Sequence, residues 1–296
     1  GYVGEQICTF TEATSSRDAM FGDSTFNDIV HRLQFDVAKN TIGIEADLSF
    51  AAPLQFDKTI AAGPVYVSDM YKLYKYENWM YVMEFTGQEI KGAMEYSYEK
   101  WVTTMTGPED HLLNFNDYDE ATGNYDLAAR YYNYDSTAGL IYDVDVSKPA
   151  GERVIIHSMA DGSAFDLNKT YKVAINSYRA GGGGGHVTTG TGLSADQLDG
   201  RTIGKTPRDL RYYLQEELKN KGSYKPEKLE NWKFIPEDWA AAGAARDRAI
   251  LYPAGGGDGQ DDLEAARPLR GQTGGQHLER ERLQCVAGEN RRRLVE

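Results

Sequence analysis

The residues best placed to meet a ligand lie in "INSYRAGGGGGHVTTG", residues 175–190. Tyr178 and Arg179 stand at the end of an apolar, strand-like run, and Gly181, Gly182, Gly183, Gly184 and Gly185 follow, closed by His186. Glycines permit positive φ and let backbone N–H groups approach an anion or a base edge closely. A tyrosine ring beside such amides suits nucleobase stacking, in which any base offers its π-face to an aromatic ring. The plain alternative is a flexible hairpin connection. A stacking site needs a second ring, and "YKLYKYENWMY" offers Tyr74, Tyr76 and Trp79.

Other chemistries find little support. The chain has no H-E-x-x-H zinc helix, no phosphate-loop lysine after the glycines and no G-x-S-x-G nucleophile turn. The five histidines, His31, His111, His157, His186 and His277, are scattered; His31, mid-helix, and His157, at a strand end, read as structural, whereas His186 is a candidate ligand contact. "NFNDYDEATGNYD" is rich in Asp but lacks the offsets of a calcium loop. Cys8 and Cys285 give neither zinc spacing nor a disulfide framework. A net charge of −13 excludes sequence-independent binding of a nucleic-acid polymer. No apolar run is long enough to span a bilayer. Gly1 is not a natural start, so sequence upstream is expected.

The elements that must carry these residues are mixed. A helix is expected after an N-cap at Ser24, with Phe26, Ile29, Val30, Leu33 and Val37 on its buried face. "GIEADLSFA" reads as a strand stopped by Pro53. "GPVYVSDMYKLY" reads as a short strand, a cap at Ser68 and a short helix. "WMYVMEF" is a strand, followed by a helix opened by the capping box Thr86–Glu89, with Ile90, Met94 and Trp101 buried. "GLIYDVDVS", "ERVIIHSM" and "TYKVAINSY" are further strands. A last helix is expected with Thr206 as cap, Pro207 at its first position and Gly222 after it. The order lacks a repeating βαβ rhythm, so the fold class is α+β (mixed α/β), a mixed sheet with flanking helices. Composition breaks at Trp239: residues 240–296 contain Arg but no Lys and are dense in Gly and Ala. Residues 1–239 are therefore expected to form the domain and 240–296 a disordered or non-native tail whose removal leaves the melting temperature nearly unchanged.

"FGDSTFNDIV", "ADLSFAAPLQF", "GPVYVSDMYKLYKYENWMYVMEFTGQEIKGAMEYS", "GLIYDVDVSKPAGERV" and "YKVAINSYRAGGGGG" stand in the order found in the C-terminal domain of the 5′-nucleotidase family. The resemblance covers about residues 3–239 and is closest to the bacterial 2′,3′-cyclic-nucleotide 2′-phosphodiesterase/3′-nucleotidase branch. It implies a domain that stacks a nucleoside base between two aromatic rings. Matched by position, those rings are Tyr76, before "EN", and Tyr178, with Arg179, Gly181 to Gly185 and His186 nearby. It also implies a partner domain, an N-terminal metallophosphoesterase carrying two divalent metal ions and the catalytic histidine. The D-x-H, G-D and G-N-H-[DE] blocks of that domain are absent here, so no cofactor and no catalytic residue are expected in this chain. Where the 5′-nucleotidase branch has an Asn-Gly-Arg block, this chain reads "SFAAPLQFDK", as in the cyclic-phosphodiesterase branch, so the 5′-phosphate arginine clamp is not carried over. The resemblance further implies a periplasmic, secreted or cell-surface bacterial phosphohydrolase. The rival reading is a non-catalytic module that captures nucleosides or carbohydrate.

Overall fold

A computed structural model of the chain describes residues 4–121 and 125–254. Local signals settle much of the element order. After β1 (Gln6–Phe10) and β2 (Thr14–Ser15), helix α1 (Thr25–Val37) opens where Ser24 accepts the Asn27 N–H. Then come β3 (Leu48–Ala51), β4 (Thr59–Ile60), β5 (Gly63–Tyr66), α2 (Val67–Leu73), β6 (Trp79–Thr86) and α3 (Gly87–Trp101). The expected capping box is formed: Thr86 Oγ1 accepts the Glu89 N–H at 3.2 Å and Glu89 accepts the Thr86 N–H at 2.9 Å. Next are β7 (Ser136–Ala138), β8 (Leu140–Asp145), β9 (Val154–Met159) and β10 (Thr170–Asn176). The one-turn helices α4 (Ser177–Ala180) and α5 (Ala195–Leu198) precede β11 (Thr202–Asp209) and α6 (Leu210–Lys221). The described part closes with β12 (Ser223–Tyr224), β13 (Trp232–Ile235) and α7 (Glu237–Leu251).

The central sheet has strand order β11-β6-β10-β3-β7 and mixes parallel and antiparallel pairs. Strand alternation splits its side chains between two cores. Met83, Phe85, Tyr171, Val173 and Ile175 face α3, whereas Met80, Val82 and Ala174 join the residues of α1 and α6. A smaller sheet, β13-β8-β9, closes the α3 side with an aromatic stack: the Trp101 ring centroid lies 5.4 Å from that of Tyr98 and 5.2 Å from that of Tyr134, nearly parallel to both. The fold is mixed α/β, with helices on both faces of the main sheet.

Two expected caps are corrected. Ser68 lies inside α2, whose cap position is Tyr66, and Asp69 there accepts the Tyr66 N–H at 2.8 Å. Thr206 and Pro207 belong to β11, and Asp209 caps α6 by accepting the Tyr212 N–H at 3.0 Å. Both Thr206 and Asp209 are chemically able to cap; pairing of β11 with β6 decides between them, and Thr206 Oγ1 accepts the Met80 N–H instead.

The boundary expected at Trp239 is also corrected, because α7 runs through it. Asp247, 0% exposed, fastens that helix: its carboxylate accepts the N–H groups of Leu112 and Leu113, each at 2.8 Å, and His111 Nδ1–H at 2.5 Å. Residues 255–296 of the expected tail lie outside the described residues. Asp247→Ala leaves two buried amides without acceptors, an expected loss of roughly 2–4 kcal/mol. Chemical denaturation measures it, and a loss below about 0.5 kcal/mol, the scale of an ordinary surface change, contradicts the anchoring role.

Candidate nucleoside-binding site

Strands β6 and β10 run antiparallel with Asn176 opposite Met80. Tyr178, two residues beyond Asn176, and Tyr76, four before Met80, therefore leave the sheet at the same end. Trp79 N–H donates to Ser177 Oγ at 3.0 Å and ties the two exits together. The chain turns sharply after β10 because Asn176 Oδ1 caps α4, accepting the Arg179 N–H at 2.9 Å. Tyr178 consequently sits on a helical turn rather than on the strand end expected from sequence.

Arg179 departs from expectation more strongly. It is 2% exposed and directed inward. A guanidinium has five N–H donors, and here all five are used. Nε donates to Asp135 Oδ2 at 2.9 Å and Nη2 to Asp135 Oδ1 at 2.7 Å. Nη2 also reaches the Tyr132 carbonyl at 2.9 Å, while Nη1 reaches Gly183 O at 2.7 Å and Asn133 Oδ1 at 3.2 Å. Burial opposes the charge on Asp135, and Arg179 outweighs it, holding the carboxyl below its ordinary range. Arg179 thus holds the loop from behind and offers no donor to a ligand.

His186 is likewise interior. It is 1% exposed, donates Nε2–H to the Asn133 carbonyl at 2.9 Å, and meets the Tyr96 ring edge-to-face at 5.4 Å. Burial, reinforced by the Arg179 charge, lowers its pKa to about 4, so the ring is neutral. Nδ1 finds no protein partner.

The glycines are explained by close packing. A Cβ on Gly183 would stand 2.6 Å from the Tyr178 ring. Gly184 has φ +74°, and a Cβ there would fall 2.1 Å from Arg179 Nη1. The loop is thus wrapped around Arg179 and against Tyr178.

On the facing loop, the three aromatics separate clearly. Tyr74 is buried at 2% exposure, whereas Tyr76 is 39% and Trp79 44% exposed. Arg211 Nη1 holds this loop by its carbonyls, donating to Lys75 O at 3.0 Å, Tyr74 O at 3.3 Å and Tyr76 O at 3.5 Å. Sequence reasoning missed Tyr132. Its ring packs edge-to-face on Tyr76 at 6.3 Å, and its carbonyl is bound by Arg179. No local signal marked it, because its relation to the glycine loop exists only through that long-range bond. The exposed rings can stack on a planar ligand. Among the described residues, no group of three or more His, Cys, Asp or Glu could hold a metal ion.

The family model described as "5′-nucleotidase, C-terminal domain" matches residues 6–190. The chain belongs to this family. Among relatives of the family, it is 27% identical over 192 residues to the trifunctional nucleotide phosphoesterase protein YfkN of Bacillus subtilis, covering 60% of this chain and 12% of that protein. It is 29% identical over 179 residues to the 2′,3′-cyclic-nucleotide 2′-phosphodiesterase/3′-nucleotidase of Salmonella typhimurium, covering 55% of this chain and 25% of that one. The chain thus spans a quarter or less of these relatives. A 5′-nucleotidase precursor from Thermus thermophilus shares the fold, with TM-score 0.59 and 19% identity over 79% of this chain and 40% of that one. A putative 5′-nucleotidase from Staphylococcus aureus does so equally, at TM-score 0.59 and 20% identity over 79% and 41% of the two chains.

Removing the guanidinium strands a buried carboxylate, so Arg179→Met is expected to cost about 3–5 kcal/mol in urea unfolding. A loss under about 1 kcal/mol, the worth of a surface ion pair, contradicts the buried clamp.

Proposed function

We propose that this chain is the substrate-recognition domain of a metal-dependent nucleotide phosphohydrolase, one acting on 2′,3′-cyclic or on 3′- or 5′-nucleotides, with the base held between Tyr76 and Tyr178. The observation that carries this reading is the emergence of both tyrosines from one end of the β6–β10 pair, each on a loop fixed by a buried arginine. Membership of the family and the names of the relatives support the nucleotide as ligand. Binding energy collected on the non-reacting base fixes the position of the ester that reacts. In this reading Arg179, His186 and Gly181 to Gly185 act by positioning: they hold Tyr178 and its loop in place from the protein side.

The described residues do not fit a two-metal centre. No hydrolytic step is therefore derived from them, and the reading assigns the two divalent ions to a metallophosphoesterase domain of the intact, secreted or periplasmic protein. The purified chain is expected to release no phosphate from 3′-AMP with added manganese or zinc. Release that a chelator abolishes contradicts this division of labour.

The stacking itself is tested by titrating adenosine while following the fluorescence of Trp79, which adjoins the site. Base–aromatic stacking contributes about 1–3 kcal/mol per ring, so Tyr76→Ala and Tyr178→Ala are each expected to weaken binding roughly tenfold or more. Phenylalanine at either position keeps the ring and most of the affinity. Tyr74→Phe, in the core, is the control and leaves binding unchanged. Unaltered affinity in both alanine variants overturns the placement, and binding of oligosaccharide in preference to adenosine favours the carbohydrate module.

A further inference from the structure

Aromatic contacts extend from the proposed sandwich to the far end of α7. Strand β3 runs parallel to β10, so its C-terminal end lies at the end of the sheet where Tyr178 emerges. β7 runs antiparallel to β3, with Ser136 opposite Ala51, so the 131–135 segment enters the sheet at that same end. Phe56 follows β3, in the stretch "SFAAPLQFDK", to which the proposed function gives no role. Its ring meets Tyr131 at 5.6 Å and Tyr252, which ends α7, at 5.0 Å. Tyr252 Oη–H also donates to the Phe56 carbonyl at 2.8 Å. Tyr131 continues edge-to-face to Tyr132 at 5.8 Å, and Tyr132 does the same to Tyr76 at 6.3 Å. The series Tyr252, Phe56, Tyr131, Tyr132 and Tyr76 thus joins α7 to a stacking ring.

We propose that this series is a positioning ladder for the sandwich, and it rests on that reading of the site. Tyr132 sets the tilt of Tyr76 and its distance from Tyr178, and Tyr252 seats the far end. Nucleoside affinity then depends on α7, which lies beyond residues 6–190 of the family match.

The role of Tyr132 follows from what Arg211 leaves undone. Arg211 grips the carbonyls of residues 74–76, which fixes the backbone of that loop. The side-chain torsions of Tyr76 are left to be settled by packing, and the Tyr132 ring supplies it. An edge-to-face contact covers at most one face of Tyr76, so it does not compete with a base for the other. The Tyr132 carbonyl meanwhile accepts from Arg179 Nη2 at 2.9 Å. The same guanidinium binds the carbonyl of Gly183, the residue packed against the Tyr178 ring. Tyr132 therefore meets one half of the sandwich through its side chain and the other through its backbone. In a close-packed interior a displaced ring displaces its neighbour, which extends the effect to Phe56 and Tyr252.

The test is adenosine titration of full-chain variants. Tyr132→Leu keeps the backbone bond to Arg179 and removes only the ring. Tyr252→Leu keeps apolar volume at the end of α7 and removes the ring and its hydroxyl. Each is expected to weaken binding roughly three- to tenfold, the scale of one aromatic pair. Tyr132→Phe and Tyr252→Phe keep the rings and bind near the parent level. Because the ladder acts through Tyr76, each loss is expected to vanish when Tyr76 is already alanine, whereas a general loss of structure persists there. Parent-like affinity in either leucine variant, or a loss undiminished on top of Tyr76→Ala, overturns the ladder. If Tyr76→Ala alone binds as the parent does, the sandwich reading fails first and the ladder with it. Should a leucine variant fold poorly, ring-proton Overhauser effects in the ligand-free parent decide. Contacts between Tyr132 and Tyr76 support the ladder, and a Tyr76 ring that reorients freely without them overturns it.

Discussion

The buried pairing of Arg179 with Asp135 is the constraint from which the candidate site is built. One guanidinium joins α4, the glycine loop and the 132–135 segment through five hydrogen bonds. A buried ion pair is not by itself a strong source of stability, since desolvation offsets most of the attraction. Its effect here is specificity of arrangement: every donor has one acceptor, so the three segments have one way to meet. Ser97 Oγ extends the set by donating to the Asp135 carbonyl at 2.7 Å, which links it to α3.

The same segment is held from the other side by the core. Tyr134 lies in the Trp101 stack, between Asn133 and Asp135, which both serve Arg179. The aromatic core thus fixes the acceptors, the acceptors fix the guanidinium, and the guanidinium fixes the glycine loop against Tyr178. Tyr76 is placed by an independent device, the Arg211 side chain threaded under its loop. In the proposed site, two rings held by separate buried arginines lower the ordering cost of binding a planar ligand. The glycines serve this packing directly: their absent side chains leave room for Arg179 and Tyr178.

What was legible in the sequence followed from local chemistry. The Ser24 cap, the Thr86–Glu89 box and the period-two strands of the main sheet need only neighbours to be recognised. The inward turn of Arg179 was hidden because its partner Asp135 is distant in the chain and carries no motif. Thr206 and Asp209 both look like caps, and only the sheet chooses between them. Helix α7 was hidden by its alanines. It has a weak apolar face, and much of its anchoring is polar: the buried carboxylate of Asp247 accepts two backbone amides, and Arg246 donates to the carbonyls of Asp110 and Pro108. Tyr76 could be separated from Tyr74 only through resemblance to the family, and burial of Tyr74 now gives the physical reason.

The central claim is that one base lies between two particular rings. Intermolecular nuclear Overhauser effects between adenosine and selectively labelled tyrosine measure this directly. Contacts from the purine H2 and H8 protons to the ring protons of both Tyr76 and Tyr178, lost one at a time when each tyrosine is replaced, are the expected result. A bound adenosine whose base protons touch neither ring, or only Trp79, contradicts it.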